Sequence, residues 1–218
     1  MKIIHGIGVC NGIAAGKLFK YHSSNKAEIS QEKIQDAPAE IERLQKARKR
    51  AEEFLKEIYK KAIQRIGEED SLIFKFHLIL LQEEEYFGEI CSHILNENLN
   101  AEAAVFLATK KYYDFFSQMD DEYMRARRED IVDISKHLIR YLNPVYNDGF
   151  DQISQQAVIA APNLLPSQAV NLDKTRVLGV LLRDGSKTSH ASIILRTIKI
   201  PAVVGLGIGL SLIHICIF

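Results

Sequence analysis

Residues 177–205 constrain the fold more than any other part of the chain. The apolar run Val177-Leu178-Gly179-Val180-Leu181-Leu182 is long enough for a buried strand. Asp184-Gly185-Ser186-Lys187-Thr188-Ser189-His190 breaks that run with a glycine, and its hydroxyl residues prepare a helix start. Ile193, Ile194 and Ile198 then form a helical apolar face, and Ile200-Pro201-Ala202-Val203-Val204-Gly205 supplies a second strand. The layout is strand, tight loop, helix, strand.

This spacing puts His190 in the first turn of the helix, beside backbone N–H groups that have no partner within the helix. The positive end of a helix disfavours imidazolium, so a histidine there is expected to stay neutral and nucleophilic. The same N–H groups, the hydroxyls of Thr188 and Ser189 and the ammonium of Lys187 suit a phosphate or a phosphohistidine. A histidine that accepts a phosphoryl group needs both properties. A histidine that only caps a helix needs neither, and local chemistry leaves the two readings open.

The rest of the chain sets the context. Its 218 residues allow one large or two small domains. Hydrophobic residues make up 47% and charged residues 26%, which marks a globular protein rather than a disordered one. Lys plus Arg equals Asp plus Glu at 28 each, so the overall charge gives no reason to expect nucleic-acid binding. Cys10, Cys91 and Cys216 are far apart and odd in number, as free thiols in a reducing compartment would be. His5, His22, His77, His93, His137 and His214 form no HxxxH pair, so no metal site is expected. Neither a signal peptide nor a membrane span is recognisable, and the expected location is the cytoplasm.

Residues 3–20 alternate short apolar stretches with glycines and read as two short strands joined by a glycine turn. A long helix is predicted from Asp36-Ala37-Pro38, with Ile41, Leu44, Ala47, Ala51, Phe54, Ile58 and Ala62 on one face and a stop near Gly67. The next helix, through Leu72, Ile73, Phe76, Leu80 and Leu81, is apolar on most sides and is expected to be well buried. Glu83-Glu84-Glu85 interrupts it, and a further helix runs to Asn96. Asn100 is placed to cap the following one, whose core face includes Ala104, Leu107, Ala108, Tyr112, Phe115 and Met119. The last, carrying Tyr123, Ile131, Ile134, Leu138 and Leu142, ends before Pro144. Ala157–Ala161 is a buried strand, and Ser167 is placed to cap a short helix through Leu172. The expected fold is mixed α/β: a discontinuous domain of residues 1–20 plus 145–218, interrupted by an all-helical bundle at 33–143.

Gly185-Ser186-Lys187-Thr188-Ser189-His190, with Ile200-Pro201-Ala202-Val203-Val204-Gly205 after it, resembles the phosphohistidine motif of the phosphoenolpyruvate-utilising enzymes. Two further stretches are similar to Enzyme I of the sugar phosphotransferase system. One is Gly6-Ile7-Gly8-Val9-Cys10-Asn11-Gly12-Ile13-Ala14-Ala15-Gly16-Lys17. The other is Asp120-Asp121-Glu122-Tyr123 with Asp130-Ile131-Val132-Asp133-Ile134. The resemblance covers about residues 1–207 and implies a swivelling phosphohistidine domain with an inserted helical domain that binds the phosphocarrier HPr. It implies that His190 accepts the phosphoryl group through Nε2 and that Lys187, Thr188 and Ser189 stabilise it. Glu68, Glu69, His77, Glu84, Arg127 and Arg128 become candidates for contact with HPr, and Asp121 and Tyr123 for holding the insert together.

In the whole enzyme the resemblance implies a dimerising barrel domain that binds phosphoenolpyruvate and Mg2+. No cofactor is expected on these residues. The apolar end, 211–218, resembles nothing in the family and reads as a truncation or a non-native coding end. The chain also departs from the family pattern inside the matching region. Ser186 replaces the second motif glycine and would be strained at a positive φ, Lys187 stands where arginine is common, and Cys10-Asn11 replaces Ser-Pro. Leu165 and Ala169 replace two threonines, one of which can support the histidine. Two alternatives stay open: a swivelling domain of a pyruvate phosphate dikinase or phosphoenolpyruvate synthase, and an inactive fragment that only binds HPr.

Overall fold

A computed structural model describes residues 3–21, 32–143, 153 and 155–207. The chain divides into two compact units, one comprising Met1–Ser24, Ala62–Asp70 and Asp148–Phe218, the other Asn25–Lys61 and Ser71–Asn147. The expected domain boundary near 145 and the apolar end at 211–218 lie outside the described residues.

The first unit is built on a five-stranded sheet: β1 (Ile7–Cys10), β2 (Lys17–Lys20), β3 (Ala157–Ala161), β4 (Val177–Leu182) and β5 (Ala202–Val204), in the order β1-β5-β4-β3-β2. β1 runs antiparallel to β5, and every other pair is parallel. β3 is buried along its whole length, as a strand in a parallel sheet requires.

The two amino-terminal strands do not adjoin, as a simple glycine turn would have them, but sit at opposite edges of the sheet. Residues 11–16 between them pass across β4 and its neighbours. A Cβ on Gly179 would lie 2.7 Å from the Ala14 Cβ and 3.3 Å from the Pro201 carbonyl, and one on Gly16 would lie 2.8 Å from a Leu178 methyl. Glycine is therefore what lets the crossing lie against the strand. Gly179→Val is expected to cost about 1–3 kcal/mol by overpacking this contact. The midpoint of chemical denaturation measures it, and an unchanged midpoint would show that the crossing is not packed there.

The second unit is helical. α1 spans Ala37–Gln82 with a break at Gly67 (φ 84°, ψ 171°), and is followed by α2 (Glu84–Glu97), α3 (Ala101–Ser117) and α4 (Glu122–Leu142). Asp36 caps α1 by accepting from Ala39 N at 3.0 Å. The helix stops at Gly67, but resumes at once, and its middle turns, Ala62–Asp70, group with the sheet unit. There the Arg65 guanidinium donates to the carbonyls of Val170 and Leu172 (2.9 Å for the second), and Thr197 Oγ1 donates to Asp70 Oδ2 at 2.9 Å.

Leu44, Leu55, Leu81, Ile90, Ile94, Ile131, Ile134 and Leu138 form the helical core. Each such side chain taken out of water contributes roughly 1.5–3 kcal/mol. Two expectations need correction. Leu72 and Ile79 on the second half of α1 are 50% and 47% exposed, and Phe115 on α3 is 57% exposed, so none of the three belongs to the core. Asn100 occupies the N-cap position of α3 without a side-chain capping bond; Glu40 Oε1 accepts from Ala101 N at 2.6 Å instead. Among the described residues no helix is long and apolar enough to cross a membrane.

Candidate functional site

Two short helices complete the sheet unit, α5 (Pro166–Asn171) and α6 (His190–Thr197). Ser167 lies inside α5, not at its cap. Leu165 holds the cap position, and Gln168 Oε1 accepts from its backbone N–H at 3.0 Å. Gln168 also donates from Nε2 to the Tyr21 hydroxyl at 3.1 Å. Leu165 and Ala169 are buried and apolar where the family pattern has hydroxyls.

His190 is the first residue of α6, and Ser189 is its N-cap. Ser189 Oγ accepts from Ser192 N at 3.3 Å and donates to Ser192 Oγ at 2.9 Å, and Ser192 Oγ donates to the Ser186 carbonyl at 2.6 Å. The Ser189 hydroxyl is thus engaged in closing the loop onto the helix, a structural task beside any contact with phosphate. Thr188 is exposed, and its hydroxyl pairs with that of Ser186 at 3.0 Å. Lys187 is exposed and His190 half-buried, so both can meet an incoming group.

The loop is held from beneath. Leu206 N donates to Leu182 O at 3.2 Å, Gly207 N to Arg183 O at 3.0 Å, and Asp184 N to Pro162 O at 3.0 Å. Gly185 carries the left-handed conformation (φ 109°), whereas Ser186 has no positive φ. Serine at the second glycine position is therefore unstrained, because the special backbone geometry falls one residue earlier. Arg183 donates to both oxygens of Asp184 at 2.8–3.2 Å, and this hydrogen bond raises its pKa above the ordinary guanidinium value. Its charge is met locally, which leaves Lys187, three residues before His190, as the other cation of the loop.

The family model "PEP-utilising enzyme, N-terminal" matches residues 5–127, and "PEP-utilising enzyme, mobile domain" matches residues 153–214. The NMR solution structure of an Enzyme I protein (nEIt) is 32% identical, superposes with a TM-score of 0.72, and is matched over 96% of this chain and 85% of its own. The chain belongs to the Enzyme I family of PEP-utilising enzymes.

Phosphoenolpyruvate-protein phosphotransferases of Geobacillus stearothermophilus and Bacillus subtilis (strain 168) are Enzyme I relatives at 36% and 32% identity, each over 94% of this chain. The chain spans about a third of the length of these curated relatives, 35% and 36%. The structure of the N-terminal domain of Enzyme 1 - Nitrogen, at 22% identity and a TM-score of 0.63, shares the fold.

The remaining site residues expected from the Enzyme I resemblance lie on the helices. Glu68 and Glu69 are exposed beside the Gly67 break, and Glu84 is exposed at the start of α2 with Arg48 Nη2 3.3 Å away. His77 has 0% exposure, so its side chain offers no surface to a partner. Its Nε2 lies 3.2 Å from Asp130 Oδ1, and Arg127 Nη1 donates to Asp130 Oδ2 at 3.2 Å while stacking over Phe76 at 3.7 Å. Asp133 sits between His77 Nδ1 (3.8 Å) and His137 Nε2 (3.4 Å). Arg127 is likewise buried, whereas Arg128 is half-buried, 3.7 Å from Glu129 and 5.8 Å from the Tyr113 ring. Asp121 caps α4 by accepting from Met124 N at 2.8 Å. The sequence signal for this buried network is the spacing of Asp130, Asp133 and His137 alongside Ile131, Ile134 and Leu138, which puts the polar groups on the edge of the apolar stripe.

Proposed function

We propose that this chain is the phosphohistidine-bearing part of an Enzyme I, exchanging a phosphoryl group between His190 and the phosphocarrier HPr in sugar uptake, in the cytoplasm. The observation that carries the reading is His190 as the first residue of a helix whose entry loop is closed by Ser186, Ser189 and Ser192. Phospho-HPr brings a phosphorus–nitrogen bond to the helix N-terminus. The Nε2 lone pair of His190 forms the new bond to phosphorus as the old one breaks, and the carrier imidazole leaves with that electron pair. Backbone N–H groups at the helix start, with Lys187 and Thr188, stabilise the phosphate charge by position and electrostatics rather than by further covalent steps.

HPr docks on the helical unit. Exposed Leu72 and Ile79, seven residues apart on one face of α1, give an apolar contact, and Glu84 gives negative charge that steers a basic carrier. On this unit Arg128 remains a contact candidate, whereas His77 and Arg127 support the helices from within; Glu68 and Glu69, on turns that group with the sheet unit, are kept as separate candidates. The phosphoenolpyruvate and Mg2+ chemistry of the family, and its dimerising barrel, belong to the rest of the whole enzyme, towards which the sheet unit is proposed to swivel. Among the described residues no group of three or more His, Cys, Asp and Glu side chains is arranged to hold a metal.

Leu165 and Ala169 favour a second reading, docking without transfer, because they remove two hydroxyls that the family pattern supplies. Incubation with phospho-HPr, followed by intact mass, separates the two. Acid-labile phosphate on the chain supports transfer. HPr binding without phosphate supports docking alone, and a folded chain showing neither would overturn both.

A further inference from the structure

We infer that Arg196 is a positioning residue for His190, an inference that rests on the phosphoryl-transfer reading above. Arg196 lies in the last turn of α6, at the opposite end of the helix from His190. Its Nη2 donates to the Lys187 carbonyl at 3.0 Å, and its Nε donates to the Val9 carbonyl at 3.3 Å. One planar guanidinium thus joins edge strand β1 to the loop that leads into the phosphoacceptor, a geometry that an ammonium cannot reproduce.

The consequence falls on the peptide groups. The Ser186 carbonyl accepts from Ser192 Oγ at 2.6 Å, and the next carbonyl, Lys187, accepts from Arg196. Two successive carbonyls are therefore turned toward α6. In a trans peptide the C=O and the following N–H point in opposite directions. The Lys187 and Thr188 N–H groups accordingly point away from α6. Ser192 sets the first of these peptides and Arg196 the second, so Arg196 orients the backbone beside the phosphoryl group without touching it.

The test compares the unaltered chain, Arg196→Lys and Arg196→Met with two donors, phospho-HPr and the small molecule phosphoramidate. Arg196 is exposed, so the Met variant is expected to keep its circular-dichroism melt. It should phosphorylate His190 about 10–100-fold more slowly from either donor, as a misplaced reacting group does, with KM for phospho-HPr within about twofold of the parent value. Arg196→Lys, able to keep one of the two bonds, should recover part of the rate. A folded Met variant that works at the parent rate, or whose loss lies only in KM, overturns the inference. Should the Met variant not fold, parent rate in the Lys variant overturns it. If the unaltered chain takes phosphate from neither donor, the phosphoryl-transfer reading itself fails. Phosphate from phosphoramidate alone removes HPr as the donor, and an Arg196→Met slowing with that reagent still supports the role of Arg196.

Discussion

His190→Ala is expected to abolish acid-labile phosphate on the chain while leaving its fold and its affinity for HPr unchanged. The imidazole is the only nucleophile the proposed reaction uses, so its loss leaves no slower route to the same product. The surrounding geometry should survive, because the elements that shape the loop lie elsewhere: the cap at Ser189, its bond to Ser192, the Ser186 carbonyl and the positive φ of Gly185. Alanine is also a better helix former than histidine. Intact mass before and after acid treatment, with HPr binding followed by titration calorimetry, reads all three quantities. Phosphate that persists in the variant would place the acceptor on another residue and end the case for His190.

Asp130→Ala is expected to destabilise the helical unit by about 3–5 kcal/mol, because removing one partner strands buried charge. Asp130 is fully buried, accepts from Arg127 and lies 3.2 Å from His77 Nε2. Its removal leaves the Arg127 guanidinium against the Phe76 ring without its carboxylate, and His77 without its nearest polar partner. The Lys46–Glu42 pair is open to solvent, so breaking it strands no buried charge, which makes Lys46→Ala a fitting control. Urea denaturation measures both. A loss below about 1 kcal/mol for Asp130→Ala would show that the network is not what holds α1 to α4.

Much of this is legible in the amino-acid sequence itself. The strand-loop-helix-strand order of 177–205 follows from local signals: an apolar run, a glycine, a serine cap and a helical period. The helix starts and stops at Asp36, Gly67, Glu83 and Leu142 are equally local, set by capping chemistry or by backbone that cannot stay helical. Strand order was not legible, since nothing within residues 3–20 says that β1 pairs with β5 and β2 with β3. The exposure of Leu72 and Phe115 is not legible either, because periodicity marks an apolar face but not whether another element covers it. The Asp130, Asp133 and His137 network was missed for the converse reason: charged residues at helical spacing read as a solvated face until a second helix is known to bring His77 against them. Serine at 186 reads as strained only if both positions of the glycine pair need a positive φ, whereas the backbone needs it only at Gly185.

The pairing of Lys17 with Ala157 sets an order of events during synthesis. β2 has no parallel neighbour until β3 has been made, and the four long helices are encoded between them. Contacts within and between consecutive helices close short loops and form quickly, whereas the sheet must wait to close its longest one. A nascent chain thus carries an assembled helical bundle while its first two strands are still unpaired. The edges of β1 and β2 are exposed to wrong partners for that interval, and the lysines at both ends of β2 are the kind of residue that discourages such pairing.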